Sequence, residues 1–201
     1  RLTSAGALDS TFASGTGIAS ASSPGSIGEA GRAAGIGGLG RIIAVGAHGN
    51  VPAARQTIVA RWTAEGVLDS SFAGSGVTVL DLSTTGGDDF GVDMTVDASN
   101  RPVLLSQGTD DPIIARLTTA GLLDTGFDGD GILQRSFLGG QDVPARVLVQ
   151  ADGRILVTGW PVVPVRVHAP PVAREPPPSR VDEVMDHGPP DCAEAAAQRA
   201  R

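Results

Sequence analysis

The chain has 201 residues, a formal charge of −7 and a pI near 4.8. This acidic balance argues against nucleic-acid binding, which needs clustered basic side chains. The single cysteine, Cys192, excludes an internal disulfide framework and a multi-cysteine metal site. No apolar run approaches the roughly 20 residues of a membrane helix, so no membrane-spanning segment is expected.

One short sequence occurs three times. It begins as RLTSAGALDSTF at Arg1, returns as RWTAEGVLDSSF at Arg61 and returns again as RLTTAGLLDTGF at Arg116. A second block, centred on Arg41, Arg101 and Arg154, repeats in nearly the same step. Two blocks that keep one period indicate a repeat architecture, with units at about 1–60, 61–115 and 116–160.

Each unit contains short β-branched runs separated by turns. QTIVARW (56–62), PIIARL (112–117) and GVTVLDL (76–82) have the length of strands. The segment 146–159 contains two apolar runs joined by Asp152-Gly153, a strong hairpin signal. The pattern predicts an all-β fold, a partial β-propeller of about three four-stranded antiparallel blades. We expect the first blade to lack its leading strand and the last to be unfinished.

The composition changes at Pro161. Residues 161–201 hold nine of the fourteen prolines and repeat nothing upstream, so they predict a disordered tail. A natural linker and a change of reading frame in a GC-rich gene both fit this change.

The repeat resembles the delta-60 repeat family of bacterial proteins. The resemblance covers residues 1–160 and is carried by Ala60-Arg61, Leu68-Asp69-Ser70-Ser71-Phe72 and the hairpin 150–157. It implies a β-propeller-like array within larger secreted or surface-attached bacterial proteins, and it brings no catalytic, cofactor or metal-binding residue. Further blades are expected from the parent chain or from a second molecule. The chain departs from the family where Thr63 precedes the first turn and Arg154 replaces the usual hairpin lysine.

The Leu-Asp-x-x-Phe element has a structural interpretation. In Leu68-Asp69-Ser70-Ser71-Phe72, a single helical turn would place Leu68 and Phe72 on one side, where they would seal the edge of a sheet. Asp69 would accept hydrogen bonds from backbone N–H groups of the turn. A catalytic role for an aspartate present in three copies is the disfavoured alternative.

Three other patterns each allow a functional interpretation, but a structural interpretation is favoured for each. GIGGLG (35–40) fits a dinucleotide fingerprint but precedes a strand, so a hairpin turn is favoured. Asp124, Asp128 and Asp130 have a faintly calcium-like spacing, and a solvated turn is favoured. Asp88, Asp89 and Asp93 are likewise interpreted as a solvated approach to a strand.

The remaining candidates are aromatic and imidazole side chains. Trp62 and Trp160 could stack a sugar, but packing against the core is favoured. The histidines, His48, His168 and His187, lack metal-ligand spacing.

Two classes of function follow. The favoured one is a non-catalytic repeat scaffold that presents the variable loops 47–55, 83–91 and 107–111 to a protein or glycan partner. The alternative is a fragment of a propeller-type hydrolase or lyase, which would need several convergent acids, bases or metal ligands.

Overall fold

The computed structural model describes residues 1–24, 28–49, 55–83, 86–109, 111–137 and 142–160, together with the backbone of 165–167. Contacts divide the chain between Pro171 and Val172, and every described residue lies in the first unit. The tail prediction for 161–201 therefore lies outside the described residues, except for a short strand at 165–167.

The described fold consists of antiparallel β-sheets, as predicted. The strands are β1 (Gly28–Ile36), β2 (Ile42–Gly49), β3 (Gln56–Trp62), β4 (Val77–Leu80), β5 (Phe90–Val96), β6 (Pro102–Gln107), β7 (Pro112–Arg116), β8 (Ile132–Gln134), β9 (Val143–Val149), β10 (Ile155–Trp160) and β11 (Val165–Val167). In the described ranges, the only helical element is a 3₁₀ turn at Gly38–Gly40. None of the described helical segments has the length and apolarity needed to cross a bilayer.

The strands form three sheets in chain order. Sheet I has the order β1-β2-β3-β4, sheet II the order β5-β6-β7-β8, and sheet III the order β11-β10-β9. Every pair is antiparallel. Consecutive antiparallel strands need only short turns, which is why the turn-rich sequence folds this way.

The sheets are offset from the sequence units. Sheet I takes β1, β2 and most of β3 from the first unit and β4 from the second, because Arg61 lies inside β3. Residues 1–24, called here the leading segment, contain no named strand. The first four-stranded sheet therefore begins at Gly28.

The third sheet extends beyond the predicted end of the repeats at residue 160. β11 pairs with β10 so that Arg166 lies opposite Leu156, just as Arg61 lies opposite Ile43 and Arg116 opposite Val103. The sequence Val165-Arg166-Val167 is thus the third-strand segment that the repeat requires.

The core lies between neighbouring sheets. One face of sheet II, with Met94, Leu104 and Ile113, packs against Ile43 and Val45 of sheet I. The opposite face, with Val103, Leu105 and Ile114, packs against Val147, Ile155 and Val157 of sheet III. Adjacent residues of β6 and β7 alternate between these two cores, because side chains of a strand alternate between its faces. Sheet II is therefore apolar on both faces.

The Asp-Gly hairpin is confirmed. β9 and β10 are joined by a tight turn in which the Gly153 amide donates to the Gln150 carbonyl, and Gly153 has φ +82°. In sheet II the corresponding position is Asn100, which also has a positive φ. GIGGLG likewise contributes to the turn between β1 and β2, as predicted.

Candidate functional site

A repeated turn joins each unit to the next. In the second unit, Arg61 Nε lies 2.9 Å from Asp69 Oδ2, and its guanidinium stacks 4.6 Å from the centre of the Phe72 ring. Asp69 Oδ1 also accepts from the Ser71 amide and hydroxyl. The Ser71 hydroxyl, with help from Arg61, holds the pKa of Asp69 below its ordinary value. The predicted acceptor role of Asp69 is confirmed.

The aromatic ring of this turn seals the gap between two sheets. Phe72 is fully buried and lies over the turn at Gly121 of the next unit, where an added Cβ would be 2.8 Å from the ring. The Ala73 amide donates to the Ala120 carbonyl across the same junction. The sealing role of Phe72 is confirmed, whereas Leu68 is 38% exposed and forms an isolated bridge with Trp62.

The turn recurs with the same contacts in the other units. Arg1 pairs with Asp9 and stacks on Phe12, and Arg116 pairs with Asp124 and stacks on Phe127. Two of these aspartates each bind a second arginine. Asp69 lies 2.9 Å from Arg41, and Asp124 lies 2.9 Å from Arg101. The repeated charged side chains thus form ion pairs within the scaffold.

A second repeated acid was not recognised in the sequence. Asp89 is fully buried and accepts hydrogen bonds from Thr57, from the Leu82 amide at 2.9 Å and from the Ser83 amide. Burial raises the pKa of Asp89, although these hydrogen bonds oppose the shift. Glu29 and Asp142 accept in the same way from the amides of Ser23 and Phe137.

The spacing of these acids carries the signal that was missed. Residues 29, 89 and 142 have the same spacing as 41, 101 and 154, so one acid in each repeat tethers the connector that precedes its sheet.

The interpretation of Asp88, Asp89 and Asp93 as a solvated approach is wrong for two of the three. Asp89 and Asp93 are buried, and Asp93 Oδ2 accepts from the Val147 amide at 2.9 Å, which links sheet II to sheet III. Only Asp88 is substantially exposed. The error arises because backbone donors from neighbouring sheets can replace water around a carboxylate.

Two of the three possible calcium ligands, Asp124 and Asp130, have other partners. The Asp124 carboxylate lies 2.7 Å from Arg116 Nε and is occupied by two arginines, while Asp130 accepts from the Ile132 amide. No group of three or more acidic, histidine or cysteine side chains is placed to hold a metal ion in the described ranges.

The tryptophans and histidines have contrasting positions. Trp62 is buried, as predicted, whereas Trp160 is 71% exposed, so the packing prediction is wrong for it. His48 is buried beside Glu29, at 3.4 Å. His168, His187 and Cys192 lie outside the described residues.

Two of the predicted variable loops meet at one edge of the sheets. We call this the loop edge and define it by the described residues of 47–55, 83–91 and 107–111; residues 50–54, 84–85 and 110 lie outside the description. Antiparallel strands place the β2–β3 loop and the β4–β5 connector at the same end of sheet I. The Arg55 amide donates to Asp88 Oδ1 at 2.8 Å, and the two side chains form an exposed ion pair at 3.0 Å.

An aromatic ring lies beneath this ion pair. The guanidinium groups of Arg55 and Arg32 lie 4.5 Å and 5.0 Å from the centre of the Phe90 ring. The Arg55 amide holds the pKa of Asp88 below its ordinary value. The third loop approaches at Gly87, where an added Cβ would meet Thr109 Oγ1. Arg55, Asp88 and Phe90 of the loop edge and Arg32 of the adjoining strand β1 therefore lie within a small area.

Comparison with known proteins adds no assignment to this geometry. No protein-family model matches the chain, and no curated protein matches it either.

Proposed function

We propose that the protein is a non-catalytic repeat scaffold of the β-propeller type that presents its loop edge to a protein or glycan partner. The observation that carries the proposal is the meeting of the variable loops around Arg55, Asp88 and Phe90. Exposed charged groups beside an aromatic ring can hydrogen-bond and stack with a polar ligand.

The use of the repeated polar residues supports the scaffold part of the proposal. Asp69 binds Arg61 of its own unit and Arg41 of the preceding unit, Asp89 binds the connector, and Asp93 binds the next sheet. The carboxylates are thus engaged in contacts within and between the sheets. The stacking of successive antiparallel sheets with cores between them supports a propeller-type array.

The setting of this scaffold is proposed from the sequence resemblance. Delta-60-like repeats imply a larger secreted or cell-surface bacterial protein, with further sheets contributed from outside the chain described here. The hydrolase or lyase alternative gains no specific support, since Asp89 and Asp93 are already engaged by backbone donors.

Binding and turnover experiments separate the two functions. The purified chain is screened on a glycan array and, in parallel, with chromogenic glycosides and esters in the presence and absence of calcium. For any glycan bound, Arg55→Ala and Asp88→Asn are each expected to weaken binding by about tenfold, the equivalent of about 1.4 kcal/mol. Arg146→Ala, which removes a more exposed arginine, is the matched control and is expected to leave binding unchanged. Turnover that is lost on changing Asp88, Asp89 or Asp93 would overturn the proposal.

A further inference from the structure

The leading segment contacts sheet I in the way that residues 61–76 contact sheet II. Phe12 is buried over the turn at Gly66, where an added Cβ would lie 2.6 Å from the ring. The Ala13 amide donates to the Glu65 carbonyl at 2.7 Å, and the equivalent bond from Ala73 to Ala120 is 2.8 Å. The segment therefore occupies the position of a turn that belongs to a preceding sheet, yet no described sheet contains it.

The outer face of sheet I is correspondingly open. A groove of about 560 Å³ separates the leading segment from this face and is lined by Ile36, Ile42, Ala44 and Trp62. Ile36 is 75% exposed there. In sheet II, the residues that correspond to Ala44 and Trp62 are Leu104 and Leu117, which are fully buried against the sheet I side. The groove is thus the place where a preceding sheet would pack.

Trp62 is a second unusual feature of this groove. Its side chain lines the groove, and its indole Nε1–H is buried without an acceptor in the described part of the chain. A buried donor without an acceptor is destabilising, so Trp62 is a weak point of the open face of sheet I in the described part of the chain.

Sheet III, at the opposite end of the array, has an edge and a face that are uncovered in the described part of the chain. Sheet III has three strands in the described residues, one fewer than sheets I and II. Its outer face exposes Leu148 at 56% and Trp160 at 71%. The face of sheet II at equivalent positions is covered by sheet III. Within the described residues, sheet III therefore has no fourth strand, no sealing turn and no covering sheet.

The charges at the two ends are also complementary. The turn aspartates Asp69 and Asp124 each bind two arginines, one of which comes from the hairpin before β2 or β6. In the leading segment, Asp9 binds one arginine in the described residues, Arg1. In sheet III, the hairpin arginine is Arg154, and among the described residues its ion-pair partner is its neighbour Asp152 on an exposed turn.

We propose that two copies of this chain associate head to tail, with the leading segment and outer face of sheet I of one copy receiving sheet III of the other. Asp9 of one copy then binds Arg154 of its partner copy, in the manner of Asp69 with Arg41. Residues 18–21, which correspond to β4 in the repeat, take the fourth-strand position beside β11, and Trp160 is covered. Two copies joined at both ends bring six sheets, a number compatible with a closed ring.

The test is the oligomeric state of the full chain, measured by sedimentation velocity from low to high micromolar concentration. The expected result is a concentration-dependent particle of two chains. Asp9→Arg and Arg154→Asp are each expected to weaken association by at least about tenfold. Combining both changes in one chain restores the ion pair across the contact with reversed polarity, and it is expected to recover association in part, because Asp9 also pairs with Arg1 in its own copy.

Control variants separate this contact from a general effect of charge. Asp81→Arg and Arg135→Asp make the same charge changes at exposed positions and are expected to leave association unchanged. A chain that stays monomeric at every concentration overturns the proposal. So does association that Arg154→Asp leaves intact, because this change does not disturb the folding of the leading segment.

Discussion

Replacing Gly121 by alanine tests whether the Phe72 ring seals the junction between sheets I and II. Gly121 has φ +83° and its added Cβ would lie 2.8 Å from the Phe72 ring. Gly74 is a matched control because it has φ +76° and nothing within 4 Å of the position of an added Cβ. The two substitutions therefore share the backbone penalty and differ in the contact with Phe72.

The expected magnitudes follow from these two terms. A left-handed backbone costs an L-residue about 1–2 kcal/mol, and the lower chain entropy of unfolded alanine offsets about 0.4–1 kcal/mol of it. Gly74→Ala should therefore lower the free energy of unfolding by about 1 kcal/mol. Gly121→Ala adds overpacking of about 1–3 kcal/mol against Phe72 and should lower it by about 2–4 kcal/mol.

Urea unfolding followed by tryptophan fluorescence measures both values, with Trp62 and Trp160 as the probes. Combining Phe72→Leu with Gly121→Ala should destabilise less than the sum of the single changes, since the smaller side chain leaves room for the methyl group. Equal destabilisation by Gly121→Ala and Gly74→Ala, within about 0.5 kcal/mol, would refute the sealing role of the ring.

Three further outcomes are expected. Asp93→Ala should cost about 1–3 kcal/mol in urea unfolding because it leaves the Val147 amide without an acceptor, whereas Arg146→Ala at the exposed end of the same pair should cost about 0–1 kcal/mol; equal effects would contradict the link between sheets. The folded-state pKa of Asp69 is below its ordinary 3.8, so the ionised carboxylate stabilises the fold above that pH, and this stabilisation is lost as the pH falls through the lowered pKa. In an acid titration, Asp69→Asn should therefore lose stability less steeply below about pH 4 than the original chain. Identical slopes for the two chains would count against this. Arg116→Lys should destabilise by about 1–3 kcal/mol despite keeping the charge, since a lysine does not reproduce the pairing and stacking of the guanidinium, and an unchanged unfolding midpoint would argue against that role.

Local turn chemistry could be predicted from the sequence because it depends on adjacent residues. Asp152-Gly153 forms a hairpin with glycine at positive φ, and Asp69 accepts from the Ser71 amide two residues later. Both interactions are made within a few residues, where the sequence pattern is sufficient.

The assignment of strands to sheets could not be predicted from the repeat. A period of 55–60 residues shows that a structural unit recurs, but it does not show where one sheet ends and the next begins. β3 and β4 lie on either side of the Leu-Asp-x-x-Phe turn and pair within one sheet. Sheet I therefore does not end at Arg61, where the sequence repeat begins again.

The buried carboxylates of the site were missed for a related reason. Asp89 and Asp93 lie in an acidic stretch that is typical of a solvated surface, and their donors, such as the amides of Leu82 and Val147, come from other parts of the chain. The arrangement of loop residues around Phe90 depends on the same long-range contacts. Only the recurrence of an acid at 29, 89 and 142 was visible in the sequence.

The offset between sheets and sequence units has a consequence for how such an array can grow. Because β3 and β4 of one sheet come from two sequence units, a break at Arg61 would detach an edge strand, and a single unit cannot close a sheet by itself. A duplication of one full period, wherever its end points fall, inserts the same four strands and the same turn. Unequal recombination can therefore lengthen the array by one sheet, whichever position within the repeat it starts from, without disturbing the strand pairing on either side.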